Sequence, residues 1–376
     1  MEQKDPRAAI LECAQEVCQK ISVGDSPQLK LPKRTLSNVT YTPQEEAEEE
    51  ELAGYLKLAD GQITRTLSYN TVKSFAQTLR MMALAKETVE DGEEVSKREA
   101  YYISKNWEEA RFDKQPESDT VMEDIEAMFR VNREQLGFVP EEKGGEVAGP
   151  LKVIDRDPKS GQKIKIDCTR FGRGAYSVPI SVENLQFETD ADFILVVETA
   201  GMFQRLNNHA YWRDTGDKDK KKCVLISMGG VPTRACRRFV RRLSEEEGLP
   251  VYAFVDGDPY GYANIYRTLK VGSGNSAHIN RFFCVPDARL LGVTPEDIKK
   301  YELPTHPLSD TDIKRAKDTL KNDPFFRHHK RWQKAIKEML KMGQRAEQQA
   351  FAKHSLNFVL ETYLPEKLAN PDLFLP

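Results

Sequence analysis

The sequence predicts a multidomain α/β protein in which a helical N-terminal part precedes a mainly parallel sheet flanked by helices. Two observations lead to this fold class. Apolar residues recur at helical spacing up to about residue 136, whereas short apolar runs alternate with helical segments from Phe193 onward. Strands separated by helices favour a parallel sheet with helices on its faces. At 376 residues the chain is long enough for two or three domains.

The composition is typical of a globular protein, with 39% hydrophobic and 31% charged residues. The net charge of −3 neither favours nor excludes a polyanionic partner. No apolar run reaches the length of a membrane span, and the N-terminal residues lack the pattern of a signal peptide. The six cysteines form no Cys-x-x-Cys pair, which favours reduced cysteines. We therefore expect a cytoplasmic protein without a membrane partner.

Residues 1–69 are predicted to form an N-terminal helix and an acidic arm. Asp5-Pro6 supplies an N-cap and a first-turn proline, and apolar residues then recur at helical spacing as far as 23. Residues 25–52 show little periodicity and include six glutamates between 45 and 51. Such a block is usually solvated, so this stretch is predicted to be an extended arm or linker.

Residues 70–155 are predicted to form three short helices and a ribbon. An apolar stripe marks the first helix, a capping box at Ser96–Glu99 opens the second, and Ser118 opens the third. Short apolar pieces at 138–140 and 150–154 favour a small antiparallel ribbon. Three helices and a ribbon outline a winged-helix domain, a helix-turn-helix variant that docks on DNA. Three-helix segments without any binding role share this outline.

Residues 156–376 are predicted to hold the parallel sheet and a helical C-terminal part. Its predicted strands are Phe193–Val197, Lys222–Ile226, Val251–Val255 and Phe282–Val285.

Three carboxylates follow two of these strands. Glu198 ends the first strand, and Asp256 and Asp258 flank Gly257 after the third. Since the carboxyl ends of parallel strands meet at one edge of a sheet, these acids would lie together. Carboxylate oxygens are ligands that Mg²⁺ prefers, and a metal ion there would act on phosphate. For any one of these acids, a role as a cap or turn residue is the alternative.

Glycines and arginines near the second strand predict phosphate binding. The Gly229-Gly230 turn would present backbone N–H groups ahead of a helix N-terminus. The following helix carries Arg234, Arg237 and Arg238, which would form a cationic surface for a DNA backbone. A tight turn and a solvated helix face are the alternatives. The chain has no Gly-x-x-x-x-Gly-Lys-Ser/Thr loop, so we do not expect it to bind ATP.

The acids resemble a known signature. A glutamate after one strand and Asp-x-Asp after a later one are similar to the Toprim domain of topoisomerases, bacterial primases and some nucleases. The Lys97-Arg-Glu-Ala-Tyr-Tyr-Ile-Ser segment closely resembles the active-site segment of one family. That family comprises the A subunits of archaeal DNA topoisomerase VI, a type IIB enzyme, and the meiotic double-strand-break transesterases. Gly229–Arg234 and Asp256–Tyr262 also match it, and the resemblance covers roughly residues 70–376.

The resemblance implies a tyrosine nucleophile. Helix geometry does not decide whether Tyr101 or Tyr102 is the nucleophile, because they lie about 100° apart on either flank of the buried face. The family position is the second of the pair, Tyr102. A free tyrosine has a pKa near 10 and needs a base or a cation to react. Arg98, one helical turn earlier, is implied to stabilise the phenolate, although an exposed helix charge is the alternative. Glu198 is implied to act as a proton relay as well as a ligand of Mg²⁺.

The resemblance further implies the DNA-cleaving and rejoining subunit of an ATP-dependent type II DNA topoisomerase. It would break double-stranded DNA through a 5′-phosphotyrosyl intermediate, as a homodimer in which the tyrosine of one protomer works with the acids of the other. A partner B subunit with a GHKL-type ATPase would use the ATP, in a heterotetramer of two A and two B chains associated with the nucleoid. The helix at 6–23 is our candidate for contacting B. The alternatives are a meiotic-type transesterase, a metal-dependent Toprim nuclease that uses water, and a non-catalytic DNA-binding scaffold.

Overall fold

The computed structural model describes residues 5–44, 53–140, 144–157, 159–216 and 221–376. The acidic run at 45–51 therefore lies outside the described residues. In these ranges, no helix is long and apolar enough to cross a membrane. The described residues form two compact units. The first comprises those within Met1–Thr40, Lys57–Glu142 and Gly274–Arg281, and the second those within Tyr41–Leu56, Lys143–Ser273 and Phe282–Pro376.

The N-terminal part of the chain is mainly helical. Its helices are α1 (Pro6–Ser22), α2 (Val72–Asp91), α3 (Lys97–Ile103) and α4 (Gln115–Phe129). Its strands are β1 (Gln28–Pro32), β2 (Val39–Tyr41), β3 (Leu56–Leu58), β4 (Gln62–Thr66), β5 (Val95–Ser96) and β6 (Phe138–Val139). β1 pairs antiparallel with β4, β2 pairs with β3, and β5 pairs parallel with β6.

Helix α1 is present where the sequence predicts a helix. The Asp5 carboxylate accepts a hydrogen bond from the Arg7 backbone N–H, and Pro6 occupies the first turn. Ile10 and Val17 are buried in the apolar cluster that also contains residues of α2 and α4. The helix therefore belongs to the core of the first unit.

Two predictions for the N-terminal part are wrong. Residues 28–32 are not an extended arm, because they form β1 and bury Leu29 in the core of the first unit. The prediction of an antiparallel ribbon between 138 and 154 is also wrong, since Phe138–Val139 pairs with Val95–Ser96 instead. The three predicted helices are present, but the wing is not formed as predicted, and the winged-helix assignment is not confirmed.

From Glu146 onward the chain contains the strands of two larger sheets. The strands are β7 (Glu146–Ala148), β8 (Leu151–Arg156), β9 (Lys163–Asp167), β10 (Tyr176–Ser177), β11 (Gln186–Thr189), β12 (Phe193–Val197), β13 (Cys223–Ser227), β14 (Val251–Phe254), β15 (Arg289–Gly292), β16 (His306–Pro307) and β17 (Gln344–Arg345). The helices are α5 (Ala200–Asn208), α6 (Arg234–Glu247), α7 (Arg267–Lys270), α8 (Asn280–Phe283), α9 (Pro295–Lys300), α10 (Asp310–Asn322), α11 (Pro324–His328), α12 (Lys330–Met342) and α13 (Leu364–Leu368).

The larger sheet has the strand order β10-β7-β13-β12-β14-β15. β13, β12, β14 and β15 are parallel, whereas β7 is reversed and pairs antiparallel with both β13 and β10 at one side of the sheet. All five residues of β12 are buried and apolar, as expected for a strand covered on both faces. The predicted mainly parallel sheet flanked by helices is thus confirmed. A second sheet has the order β11-β8-β9.

Glycine explains why β7 joins the larger sheet rather than the predicted ribbon. Gly145 has φ +102°, and a Cβ there would lie 2.3 Å from the Ser227 carbonyl oxygen. Only glycine permits this close approach to the end of β13. The chain then enters β8, which pairs with β9 and β11. Of the described residues, 144–155 belong to the second compact unit and 5–40 to the first, whereas the predicted boundaries lie at 69/70 and 155/156.

The strand predicted at Phe282–Val285 is wrong. Asn280–Phe283 forms α8, and the fourth parallel strand is β15, at Arg289–Gly292. Cys284 and Val285 are buried next to the helix. An apolar run of four residues is equally compatible with a buried helical turn and with a strand, so periodicity could not separate the two.

Trp332 anchors α12 to the second unit. It is fully buried, with ring centroids 5.1 Å from Tyr262 and 5.2 Å from Phe326. We expect Trp332→Ala to lower the free energy of unfolding by about 3–5 kcal/mol, because it removes this packing and leaves a cavity. Denaturant unfolding followed by circular dichroism measures the change. Leu356→Ala, at a side chain that is 62% exposed, is the control and should cost less than about 0.5 kcal/mol. Equal losses would show that Trp332 is not an anchor.

Candidate functional site

Helix α3 presents Arg98 and Tyr102 to solvent. The helix begins at a capping box in which the Ser96 hydroxyl accepts from the Glu99 N–H at 3.1 Å and the Glu99 carboxylate accepts from the Ser96 N–H at 2.8 Å. Ala100 is fully buried, which turns the opposite side outward. Arg98 is exposed and Tyr102 is 56% exposed. Their spacing of four residues places them on one face of the helix.

The two neighbouring tyrosines have different surroundings. The Tyr101 hydroxyl donates to the Asp113 carbonyl at 3.1 Å, and the Lys105 ammonium lies 4.2 Å from the centre of its ring. Within the part of the chain that the structure describes, the Tyr102 hydroxyl makes no hydrogen bond. Tyr101 is therefore held in a structural role, while Tyr102 presents an accessible hydroxyl. The tertiary contacts thus distinguish the two tyrosines by their surroundings, which helix geometry alone did not do.

The parallel sheet brings Glu198 and Asp256 together. β12 and β14 are in register at Val197 and Phe254, so the two acids leave adjacent strands at the same edge. The Asp256 N–H donates to the Glu198 carboxylate at 2.8 Å. Asp258 follows two residues later and is 8% exposed. We call this group the acid edge: Glu198, Asp256 and Asp258.

The turn after β14 depends on glycine. The Asp258 carboxylate accepts from the Gly261 N–H at 2.6 Å, which orients the side chain. A Cβ on Gly261 would lie 2.6 Å from the Asp256 carbonyl oxygen. Gly257 pairs with Ala346 through hydrogen bonds of 2.8 and 3.2 Å. The geometry of both aspartates is therefore set by backbone packing.

Gly261→Ala tests this dependence. We expect it to reduce the free energy of unfolding by about 1–3 kcal/mol and to lower the proposed activity on DNA, because the added methyl group displaces the Asp256 backbone. Thermal unfolding and a DNA cleavage assay measure the two effects. Gly201→Ala is the control, since the nearest atom to its Cβ would be 3.9 Å away. If both variants retain wild-type stability and activity, the turn tolerates a side chain and the packing argument is wrong.

Burial and mutual repulsion raise the pKa of two acids. For Glu198, burial is the main cause and the Asp256 charge the second; the Asp256 N–H opposes them, and the pKa is raised to about 8. For Asp256, burial is again the main cause, opposed by a hydrogen bond from the Gln348 N–H, and the pKa is raised to about 6. Negative charge at the acid edge is therefore incompletely compensated by protein groups, an environment that a cation would stabilise.

The segment after α12 supplies residues that the sequence did not indicate. The Gln348 N–H donates to the Asp256 carboxylate at 2.8 Å, although 92 residues separate the two. Its side-chain amide donates to the Phe254 carbonyl at 2.6 Å. The Arg345 guanidinium lies 3.4 Å from the Asp258 carboxylate and 3.7 Å from that of Asp312. No motif marks these residues, and only the tertiary pairing places them here.

The acid edge does not form a ready three-ligand metal site. Across the residues that the structure describes, no group of three His, Cys, Asp or Glu side chains is arranged to hold a metal ion. The donor chemistry nevertheless fits Mg²⁺. Mg²⁺ keeps several waters and is usually bound through one or two carboxylates together with substrate phosphates. The buried, partly uncompensated carboxylates match that requirement.

The Gly229-Gly230 turn lies at the same edge. Gly230 donates its N–H to the Glu198 carbonyl at 2.9 Å. The φ angles of the two residues are +66° and +95°, which favour glycine. α6 then begins with Thr233 as its N-cap, whose hydroxyl accepts from the Cys236 N–H. The turn thus contacts Glu198 through Gly230, and the N-terminus of α6 follows three residues later.

The predicted arginine surface is only partly present. Arg237 is 5% exposed and its guanidinium donates to the Thr268 carbonyl at 3.4 Å, so it does not face solvent. The prediction that it lies on a cationic surface is wrong. Arg238 makes a bidentate ion pair with Glu183, with N–O distances of 2.7 and 2.8 Å, and this pair compensates the charge of the arginine. Arg234 is half-buried near the ring of Phe283.

A parallel sheet with a glutamate after one strand and two aspartates after the next strand in space defines a protein of the Toprim class. Residues 193–368 match the Toprim domain family of Spo11 and the topoisomerase 6 A subunit. Residues 73–138 match the type IIB DNA topoisomerase family. Residues 141–191 match the all-beta domain of the DNA topoisomerase VI alpha chain, and this range includes β8, β9 and β11. No predicted domain corresponds to this third match, because the predicted boundary at 155/156 divides its residues.

Similar proteins cover nearly the whole chain. A protein of Methanocaldococcus jannaschii is 50% identical over 98% of this chain and 95% of its own length. Relatives from Methanothermobacter thermautotrophicus and Halobacterium salinarum are 38% and 36% identical, over 93% and 98% of this chain and 92% and 97% of their own lengths. Each is named as the A subunit of type 2 DNA topoisomerase 6. The chain belongs to this family, the A subunits of type 2 DNA topoisomerase 6.

Proposed function

We propose that this chain is the DNA-cleaving and rejoining subunit of an ATP-dependent type II DNA topoisomerase, which makes transient double-strand breaks to relax and decatenate DNA. The observation that carries the proposal is the 50% identity, over 98% of the chain, to a protein named as the A subunit of type 2 DNA topoisomerase 6. The accessible Tyr102 hydroxyl and the acid edge support it, because together they provide a nucleophile and a phosphate-binding site.

Tyr102 is the proposed nucleophile. Its oxygen forms a bond to the phosphorus of a DNA phosphodiester, and the bond to the 3′ oxygen breaks. The products are a 5′-phosphotyrosyl link and a free 3′ hydroxyl. The phenolic proton is lost and the 3′ oxygen gains one, and we assign this relay to Glu198. Arg98, one turn before Tyr102, would stabilise the phenolate. Because the link retains the energy of the broken bond, the reverse reaction reseals the strand.

Glu198, Asp256 and Asp258 are the residues that would hold Mg²⁺. When bound, the ion supplies positive charge to the scissile phosphate and to the leaving oxygen. The Gly229 backbone N–H would contact a neighbouring phosphate, as N–H groups near helix N-termini commonly do, whereas the Gly230 N–H already donates to the Glu198 carbonyl.

The proposal includes a second copy of this chain, required by the chemistry, and a B subunit, implied by the family. One tyrosine cuts one strand, so a double-strand break takes a homodimer. ATP would be used by a GHKL-type B subunit, in an assembly of two A and two B chains. We keep α1 as the candidate for contacting B, and a cytoplasmic, nucleoid-associated location as part of the proposal.

Covalent trapping tests this function. The full chain, with Mg²⁺ and an end-labelled duplex, is quenched in detergent, and the linked peptide is mapped by mass spectrometry. We expect DNA attached to Tyr102. Attachment to another residue, or free cut ends without a link, would contradict the proposal, and free ends would favour a Toprim nuclease. Relaxation of supercoiled DNA with ATP and the B subunit separates a topoisomerase from a meiotic-type transesterase, which does not reseal.

A further inference from the structure

A groove of about 720 Å³ on the second unit is lined mainly by lysines. Helices α9 and α12 form it, and its charged lining residues are Lys299, Lys330, Lys334, Lys337, Glu338 and Lys341. We propose that this lysine groove binds the phosphate backbone of a DNA duplex, at a surface beyond the acid edge. The choice of DNA as the polyanion rests on the proposed function.

The spacing of the lysines suits an extended polyanion. Lys330, Lys334, Lys337 and Lys341 are four, three and four residues apart, so they form a stripe along one face of α12. At a rise of 1.5 Å per residue the stripe is about 16 Å long. Each DNA strand presents a phosphate about every 3.4 Å of helix axis, so that length offers on the order of five phosphates per strand. Four flexible lysines can each reach one.

Much of this charge is not compensated by protein groups. Lys330, Lys337 and Lys341 are exposed, and among the described residues they make no ion pair or side-chain hydrogen bond. Lys334 lies 3.8 Å from Glu296, and both side chains are about three-quarters exposed, so solvent screens the pair. Lys299 is paired with Glu338. Neighbouring lysines one turn apart repel each other, and a bound polyanion would relieve that repulsion.

The helix that presents the stripe is firmly anchored. Trp332, Ala335, Ile336 and Met339 form the buried face of α12. These residues lie in the protein core and are not available to enter a lipid bilayer, as the apolar face of a membrane-surface helix would be. A concave, charged surface without an exposed apolar face favours DNA over an anionic membrane.

The segment that directly follows α12 contacts the acid edge. α12 stops at Gly343, whose φ of +65° reverses the chain direction. Three residues later Ala346 pairs with Gly257, between the two aspartates of the acid edge. Lys341 is therefore four residues from Arg345, which contacts Asp258, and the other lysines lie progressively further along α12. A duplex held at the acid edge could continue along the lysine groove.

The salt dependence of DNA binding tests the proposal. The full chain and the variant with Lys330→Gln, Lys337→Gln and Lys341→Gln bind a labelled mixed-sequence duplex of about 40 base pairs at several salt concentrations, measured by fluorescence anisotropy. The slope of log K against log salt is negative, and each lost phosphate contact reduces its magnitude by about 0.9, so we expect the three substitutions to reduce the magnitude by about 2.7. At about 0.1 M salt the affinity should fall on the order of 10²-fold.

The matched control replaces three exposed lysines around the three-stranded sheet, Lys152→Gln, Lys159→Gln and Lys163→Gln. Its slope should equal that of the wild type. Equal slopes for the groove variant and the wild type would overturn the proposal, and so would an equal decrease in the control, which would reflect net charge alone. Tighter binding of the wild type to phosphatidylserine vesicles than to DNA, lost in the groove variant, would also overturn it.

A second measurement separates this proposal from the proposed function. On a duplex too short to extend beyond the acid edge, the groove variant should form the covalent link to DNA at the wild-type level. Loss of the link on this short duplex would show that the lysines act in the cleavage site. It would overturn the proposal that they form a separate DNA-binding surface. If the wild type forms no link but the magnitude of the slope still decreases by about 2.7 in the variant, the groove binds DNA and the cleavage function is wrong.

Discussion

Tyr102→Phe should abolish the covalent protein–DNA link and lower DNA cleavage on the order of 10⁵-fold. The change removes one oxygen, the atom that bonds to phosphorus in the proposed reaction, and no other side chain replaces a lost nucleophile at comparable rate. Because Tyr102 is 56% exposed and its hydroxyl has no hydrogen-bond partner among the described residues, stability should change by less than about 0.5 kcal/mol. Detergent-trapped covalent complexes and single-turnover cleavage provide the measurements.

Tyr101→Phe is the matched control. It removes the hydrogen bond from the Tyr101 hydroxyl to the Asp113 carbonyl, worth about 0.5–1.5 kcal/mol, but leaves the proposed nucleophile. We expect cleavage within about tenfold of the wild type. If Tyr101→Phe abolishes the link while Tyr102→Phe retains it, the two tyrosines have been assigned in the wrong order. If both variants cut DNA normally, water is the nucleophile and the protein is a Toprim nuclease.

Glu198→Gln should have opposite effects on activity and on stability. Cleavage should fall by on the order of 10³-fold, because the change removes a proposed metal ligand and the proposed proton relay. Stability at pH 8 without Mg²⁺ should rise, since the variant no longer has to bury a charge beside Asp256. The amide oxygen can still accept the Asp256 N–H, so the local backbone should persist.

The direction of the pH dependence follows from the raised pKa of Glu198. Folding raises this pKa from 4.5 to about 8, so the folded protein holds a proton that the unfolded chain has released. Stability therefore decreases as pH rises through this window, and the decrease is complete above the folded pKa. Each pKa unit corresponds to about 1.4 kcal/mol, so Glu198→Gln should be more stable by about 2–4 kcal/mol above pH 8. Thermal unfolding between these pH values measures the slope.

Glu347→Gln is the matched control for Glu198→Gln. Glu347 is exposed, and its charge contributes to the raised pKa of both Glu198 and Asp256, but only as a smaller cause. We expect a small stability change and near-normal cleavage.

In the wild type, Mg²⁺ should raise the unfolding temperature at pH 8 more than in Glu198→Gln, because binding to the folded state stabilises it. An unchanged pH slope in Glu198→Gln would show that Glu198 does not hold the buried proton.

Local sequence patterns were sufficient to predict a helix or strand where the apolar periodicity was strong and matched the burial of the residues in the structure. β12 and β14 could be predicted because each is a short apolar run that ends at an acid, and parallel pairing then requires those acids to share an edge. The capping box that starts α3 could likewise be predicted from the sequence, since its hydrogen bonds join residues three apart. Predictions failed where one pattern fits two structures, as at Phe282–Val285, or where a glycine such as Gly145 redirects the chain into another sheet.

The amino-acid sequence by itself determined the parallel sheet, the positions of Glu198, Asp256 and Asp258 on it, and the family motif around Tyr102. These features depend on short-range order and on one topological rule. Only the tertiary structure decided that Arg237 is buried, that Gln348 supports Asp256, and that Tyr101 rather than Tyr102 is hydrogen-bonded. The same holds for the lysine groove, whose walls come from α9 and α12. Each of these depends on contacts with other segments of the chain, which no local pattern encodes.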